Sequence, residues 1–449
     1  MRLGERGSRC ARGTAALVAL LALVPAVHAP PAAARPAVAP VPVSTETVAV
    51  VDTTNQAGWW TPIVESGGAT YYAYDAPGSQ PATHVVHVAR RVSSGATTSS
   101  CLASGGQCIQ FPDDIGHHQP SIAVDGAGFV HVFAAMHSSR WQQRYFRSTA
   151  PHSVAGFTDR SATMPDQTWT HTYPVLAAAP GGDLYLAIRS RSSAAAAGVG
   201  GRLYRFDMAT GTWARVATFA YQAALWVYPD DLRVDPAGRV HILYTWVDKR
   251  DNKFTRVGSY VVHDPASGRL RNAAGEDLGP VANLASDAAY QPWPASYDPA
   301  NPINGTGVEV AKFSLDPATL RPEVAYRYRR FDGRLMHVRH AVWDGSQWRR
   351  TVVYQGKYDT FPAVDVTGTG GALRIYYVKR NTSGGPAAFV AEPAAAGGYA
   401  EWALTRTRPR IERLSVISRP DGTDVLYLSA PFASAQSGQL YFGTAPRPG

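Results

Sequence analysis

Residues 120–133 read PSIAVDGAGFVHVF. A short apolar run from Ser121 is followed by Asp125-Gly126-Ala127-Gly128 and then by a second run ending at Phe133. Asp and Gly supply the backbone angles of a tight turn, and the alternation on either side supplies one buried face, so the stretch reads as a β-hairpin. The same pattern recurs at Trp60–Tyr74, Pro174–Ile188, Leu232–Tyr244, Lys312–Tyr328, Pro362–Tyr377 and Leu414–Leu428. The seven copies lie mostly about 50–60 residues apart, near the length of a propeller blade unit. The fourth interval is longer and predicts an insertion around residues 262–305. One hairpin cannot bury its own face, whereas radial stacking of four-stranded sheets can. The expected fold class is therefore all-β, a seven-bladed β-propeller over residues 49–449, with a pair of β-sandwiches as the rival.

Composition agrees with a folded chain. Of 449 residues, 45% are hydrophobic and 17% charged, which is the composition of a core-forming chain and not of a disordered one. No stretch reads as a long amphipathic helix. The formal charge is +9, from 43 Lys and Arg against 34 Asp and Glu, and a basic balance suits an anionic partner. The arginines stand singly along strands and no nucleic-acid motif occurs, so a small or polymeric anion, such as an anionic glycan, is expected rather than DNA.

Arg2, Arg6, Arg9 and Arg12 precede an apolar run from Ala15 to Val27, which reads as a secretion signal over residues 1–34. Pro30 disfavours cleavage after Ala29, which leaves Ala34 or another nearby Ala. The run is too short for a membrane span. Residues 35–48 read as a Pro/Ala-rich linker. Cys10 lies in the signal, and Cys101 and Cys108 form an even pair in an exported chain, expected to close a small disulfide loop. Two cysteines alone do not make a structural zinc site. The expected product is a secreted monomer with no nucleic-acid or membrane partner and no required cofactor, a structural calcium being left open.

The polar residues flanking the hairpins carry the chemistry. His117, followed by His118, precedes the second hairpin and His137 follows it. An antiparallel hairpin brings its ends together, so both imidazoles can share one pocket and serve as acid or base. The alternative is a pair of hydrogen-bonded structural histidines; His131, in mid-strand, reads as packed. Around the third hairpin, Tyr173 and Arg189 are placed together by the same reasoning. A cation beside a phenol lowers its pKa, and Arg grips a carboxylate with two prongs. Tyr228 and Trp226, before the fourth hairpin, offer a further phenol and a sugar-stacking face.

The string D-x-x-G-H-H-x-P-S-I-A-V-D-G-x-G-F-V-H-V-F-x-x-M-H over residues 113–137, with Arg144–Ser148 after it, resembles the BNR-4 repeat propellers. So do Thr172-Tyr173-Pro174 and the hairpin ending at Arg189. That group includes ulvan lyases, rhamnose–glucuronate lyases acting on gum arabic, and a related rhamnosidase family. The resemblance covers roughly residues 50–440 and is strongest over 113–247. It implies an active site of His117, His137, Tyr173 and Arg189, with Tyr228 as a further member. The chain departs from the pattern at His118, where many relatives have Asn, and at Val247, where many end the fourth hairpin in Arg. Ser192, Ser193 and four alanines replace a Gly-rich stretch, and zinc ligands of some ulvan lyases have no match. The implied reaction is β-elimination at a rhamnose-(1→4)-glucuronate bond. His117 or Tyr173 would take the C5 proton, Tyr173 or His137 would protonate the leaving oxygen, and Arg189 would neutralise the carboxylate. The rivals are a hydrolase, for which Asp113, Asp114, Asp230 and Asp231 are the nearby carboxylates, and a propeller that binds acidic glycans without chemistry.

Overall fold

The computed structural model describes residues 45–137, 143–192, 199–248, 255–286, 289–293, 306–330, 336–356, 360–381, 385–404, 410–432 and 438–445. The signal at 1–34 and most of the linker fall outside them, as does part of the predicted insertion, residues 287–288 and 294–305. Apart from the 3-10 turns Ser161–Thr163 and Gly370–Ala372, the regular structure of the described residues is β.

All seven quoted hairpins form, each as an antiparallel pair. Their first strands are Ile63–Ser66, Ser121–Val124, Thr170–Ala178, Leu225–Val234, Gly307–Leu315, Thr360–Thr367 and Arg413–Ser418. Two further strands extend each hairpin outward, so that each unit has four main antiparallel strands. The first strands touch in chain order, and Arg413–Ser418 lies against Ile63–Ser66. Apolar side chains fill the space between neighbouring units. Leu232, Val240, Ile242 and Trp246, for example, pack against Val175 and Leu203 of the preceding unit. Each Leu or Ile so buried contributes about 1.5–3 kcal/mol.

The linker expectation needs one correction. Thr45–Val51 is a strand paired with Gly438–Ala445, so it completes the last unit. The backbone groups of TETVAVV gain ladder partners from the opposite end of the chain, with one bulge between Thr47 and Ala49.

The turns explain two of the histidines. Asp125 Oδ1 accepts the Ala127 and Phe129 N–H groups, while Oδ2 meets His131 Nε2 at 3.0 Å. Asp235 repeats this with Ala237, Arg239 and His241. Gly128 has φ +87°, and a Cβ there would lie 2.6 Å from the His152 ring, so only glycine fits. His131 is thus a packed strand residue, as its position suggests. Cys101 and Cys108 are disulfide-bonded, with Cα atoms 5.6 Å apart.

Candidate active site

The first four units converge at the end where their first strands begin. Gly116, at φ +88°, turns the chain into His117, and Ala135, at φ +52°, turns it toward His137. The Ala135 N–H donates to His118 O at 3.4 Å, tying the two ends of the hairpin. Both imidazoles reach one carboxylate: His117 Nδ1 lies 2.6 Å from Asp114 Oδ1 and His137 Nδ1 2.5 Å from Oδ2. Their rings stack at 3.7 Å, 13° from parallel. A carboxylate only accepts, so both Nδ1 atoms carry the hydrogens and both Nε2 atoms are left as acceptors. Burial opposes ionisation of Asp114, but the bonds from His117 and His137 outweigh it and hold its pKa below the usual carboxylate value. Burial lowers the His117 pKa; Asp114 opposes that fall, while His137 and Arg189 add to it.

Tyr173 enters from the third unit. The ladder shifts register between Thr172 and Val175, and Tyr173 sits in this bulge at φ +60°. That backbone is unusual for an aromatic residue and costs about 1–3 kcal/mol; bulges next to active sites re-aim side chains in this way. The Tyr173 ring lies 5.8 Å from His117, 5.5 Å from Trp60 and 5.2 Å from Tyr228. Burial pushes its pKa up to about 12, against the opposing pull of Arg189.

Two expectations change. His118 is buried, with Nδ1 3.0 Å from Pro112 O and its ring against His84. It opens a stretch, His118–Ser121, that is buried throughout as the chain enters the hairpin, and burial lowers its pKa to about 4. Arg189 does meet Tyr173, but its guanidinium is packed under aromatic faces: Cζ lies 4.7 Å from the Tyr173 ring, 4.6 Å from Tyr228 and 5.3 Å from Trp226. Only 2% of the residue is exposed. It is placed to act on Tyr173 through its field rather than to meet a ligand directly. Tyr228 and Trp226 are themselves only partly buried.

Beside these rings lies a cavity of about 50 Å³, walled by Tyr173, Tyr228, Trp59, Asp230, Arg256 and Glu309. Sequence reasoning passed over Arg256. It stands directly across the ladder from Val247, and that register was the signal that could have found it. A larger cavity of about 450 Å³ follows the far halves of the first strands. Its carboxylates are engaged: Asp231 accepts the Phe313 N–H at 3.1 Å, Asp365 the Val416 N–H at 2.7 Å, and Glu65 accepts from the Thr70 hydroxyl and Arg419.

The hydrolase carboxylates are similarly occupied. Asp113 meets His84 at 3.2 Å, Asp114 holds two imidazoles, and Asp230 is buried and accepts from Thr245. Among the described residues, Asp114, His117 and His137 form a set that could hold a metal, with one donor atom from each lying within 4.8 Å of the others. The stacked rings spend their Nδ1 hydrogens on the carboxylate, so a cation there would have to displace both.

The sequence profile of the BNR repeat-containing family matches residues 69–355. Comparison with curated proteins finds no match. Among solved structures, polysaccharide lyase Uly1 is similar with a TM-score of 0.63 at 13% identity, over 86% of this chain and 90% of that one. A PL25 ulvan lyase gives a TM-score of 0.65 at 14% identity, over 89% and 96%. The same lyase bound to -[GlcA(1-4)Rha3S]- gives the same values. These likenesses are of fold.

Proposed function

We propose that this chain, which belongs to the BNR repeat-containing family, is an exported lyase that cleaves acidic polysaccharides by β-elimination. The seven units, with first strands touching in a cycle and the N-terminal strand completing the last, support reading the fold as a seven-bladed β-propeller. The signal sequence and the disulfide support export, and we take the enzyme to act as a monomer.

The observation that carries the reading is the imidazole pair on Asp114 beside a protonated phenol. His117, with Nδ1–H fixed on Asp114 and a lowered pKa, is neutral at neutral pH and offers Nε2 as a base. It takes the C5 proton of a uronate. The electrons of the C5–H bond form the C4=C5 double bond, and the C4–O bond breaks. Tyr173, with its pKa near 12, keeps its proton until it is needed and delivers it to the departing oxygen. The buried Arg189 cation favours the phenolate that results. His137 holds Asp114 and the His117 ring in place. The fold likeness to an ulvan lyase bound to -[GlcA(1-4)Rha3S]- supports a glycan of glucuronate and rhamnose as substrate; elimination breaks the bond at C4 of the uronate, which in such a glycan is the rhamnose-(1→4)-glucuronate linkage.

The test is to incubate the mature protein with ulvan or gum arabic, following ultraviolet absorbance of an unsaturated uronate together with reducing ends. A lyase raises both and His117→Ala abolishes both. Reducing ends without absorbance would mean hydrolysis, and neither signal would mean binding alone; either result overturns the reading.

A further inference from the structure

We propose that Arg256 is the guanidinium that grips the substrate carboxylate; the inference rests on the lyase reading above and assigns the anion contact within the same site. Elimination beside a carboxylate needs a cation that can touch it, since negative charge builds on that group as C5 loses its proton. Arg189 cannot do so as it stands, packed beneath Tyr173, Tyr228 and Trp226 with 2% of its surface exposed.

Arg256 is partly exposed and walls the cavity that Tyr173 and Tyr228 also line. Its backbone is fixed on both sides. It pairs with Val247 across one ladder, and its N–H donates to Thr306 O at 2.9 Å across the junction with the next unit. Gly307 makes that junction possible, because a Cβ there would fall 2.1 Å from Arg256 O. The side chain, by contrast, is under-used. Among the described residues its guanidinium makes one long contact, Nη1 to Val308 O at 3.5 Å, and the buried Nε has no hydrogen-bond partner. The acids nearby are engaged elsewhere: Glu309 pairs with Arg327 and Arg329, and Asp230 accepts from Thr245. Tyr173 feels the Arg256 charge, so cation and phenol address one space.

The cavity's size narrows the ligand. About 50 Å³ is the room of one or two waters. It admits a carboxylate and excludes a sugar ring, which would lie outside against the aromatic rings. A guanidinium facing such a space offers the two-pronged contact that a carboxylate takes.

The test compares two probes by calorimetry: a rhamnose–glucuronate disaccharide and the same disaccharide with its carboxyl reduced to an alcohol. The wild type is expected to prefer the acid by at least 10-fold. Arg256→Ala should erase that preference without changing affinity for the reduced sugar, and Arg256→Lys should keep part of it. On the polymer, kcat/KM of Arg256→Ala should fall about 10²–10³-fold, the usual effect of losing one transition-state donor. A wild type with no preference for the acid overturns the proposal. So does an Arg256→Ala variant that retains the preference. The binding comparison needs no turnover, so a protein that prefers the acid through Arg256 yet yields no unsaturated uronate would sink the lyase reading and leave this one standing.

Discussion

Replacing Asp114 by Asn should separate an orienting carboxylate from an ornamental one. The carboxylate accepts two N–H bonds, at 2.6 and 2.5 Å. An amide of the same shape has one oxygen and one NH₂ group, so it can satisfy one imidazole and must face the other with a donor. If the amide turns its NH₂ toward His117, that ring must put its hydrogen on Nε2 and loses the lone pair that takes the C5 proton. A hydrogen bond to a charged group is worth about 1.5–3 kcal/mol, and each 1.36 kcal/mol is tenfold in rate. Loss of the bond that fixes His117 therefore predicts a fall in kcat of about 10- to 100-fold. The pH profile gives a second, independent reading. Burial lowers the His117 pKa and Asp114 opposes that fall. Removing the charge lets the pKa drop further, so the acid limb of kcat/KM must move to lower pH while the plateau falls. Steady-state rates of unsaturated-uronate formation from pH 4 to 10, with thermal melts to confirm folding, make the measurement. An Asp114→Asn enzyme with wild-type kcat and an unmoved acid limb would refute the orienting role.

In the wild type, neutral His117 and protonated Tyr173 coexist from mildly acidic pH up toward pH 12; kcat/KM should rise through the lowered His117 pKa and then stay flat, and an alkaline fall centred near pH 9 would contradict the assignment of Tyr173 as acid. Tyr173→Phe should lose about 10²–10⁴-fold in kcat, the usual worth of a general acid, with its melting temperature unchanged. Added zinc should inhibit by taking Asp114, His117 and His137 together, and a chelator should restore the rate; loss of activity on chelation alone would show that a metal belongs there. Lys312→Met should leave Trp59 O, Trp60 O and Asp230 O without the ammonium that they accept from at 3.3, 3.2 and 2.8 Å. At about 1 kcal/mol or more for each stranded acceptor, urea unfolding should show a loss of at least 3 kcal/mol.

The hairpins were legible because their information is local. Period-two alternation and an Asp/Gly turn sit within fifteen residues, as in Ser121–Phe133. The meeting of His117 with His137, and of Tyr173 with Arg189, was legible for the same reason, since residues flanking a hairpin must end near each other. What the sequence hid depends on neighbours from other units. Arg189 is buried because Tyr228 and Trp226 arrive from the fourth unit to cover it. Arg256 reaches the cavity through pairing opposite Val247, beyond a stretch with no motif. Asp114 sits in a loop without periodicity, where nothing marks which of Asp113 and Asp114 will face the imidazoles. The strand Thr45–Val51 was hidden by the Pro/Ala-rich run ahead of it, and its partner lies at the other end of the chain.

Cavity size is a poor guide to chemistry in this fold, and the reason is how hydrogen-bonding capacity is spent. In the space of about 450 Å³, Asp231 and Asp365 accept the N–H groups of neighbouring first strands, and Ser314 donates to Gly368 O. Those polar groups stitch one unit to the next. Lys312 lines this space too, and its ammonium is spent on carbonyls of Trp59, Trp60 and Asp230, at the floor of the smaller cavity. On the other side of that floor the ladders break. Register shifts fall at Thr172/Val175, Pro229/Asp231, Val308/Val310 and Thr360/Val364, so four neighbouring first strands stop matching their partners at the same level. The bulge in the first of these carries the left-handed Tyr173. Strain of that kind persists only where the surroundings over-determine it, and the stitched half of the strands supplies the rigidity. Capacity left over then collects at the broken ends: two imidazole Nε2 atoms, a phenol, and a guanidinium with a single long contact.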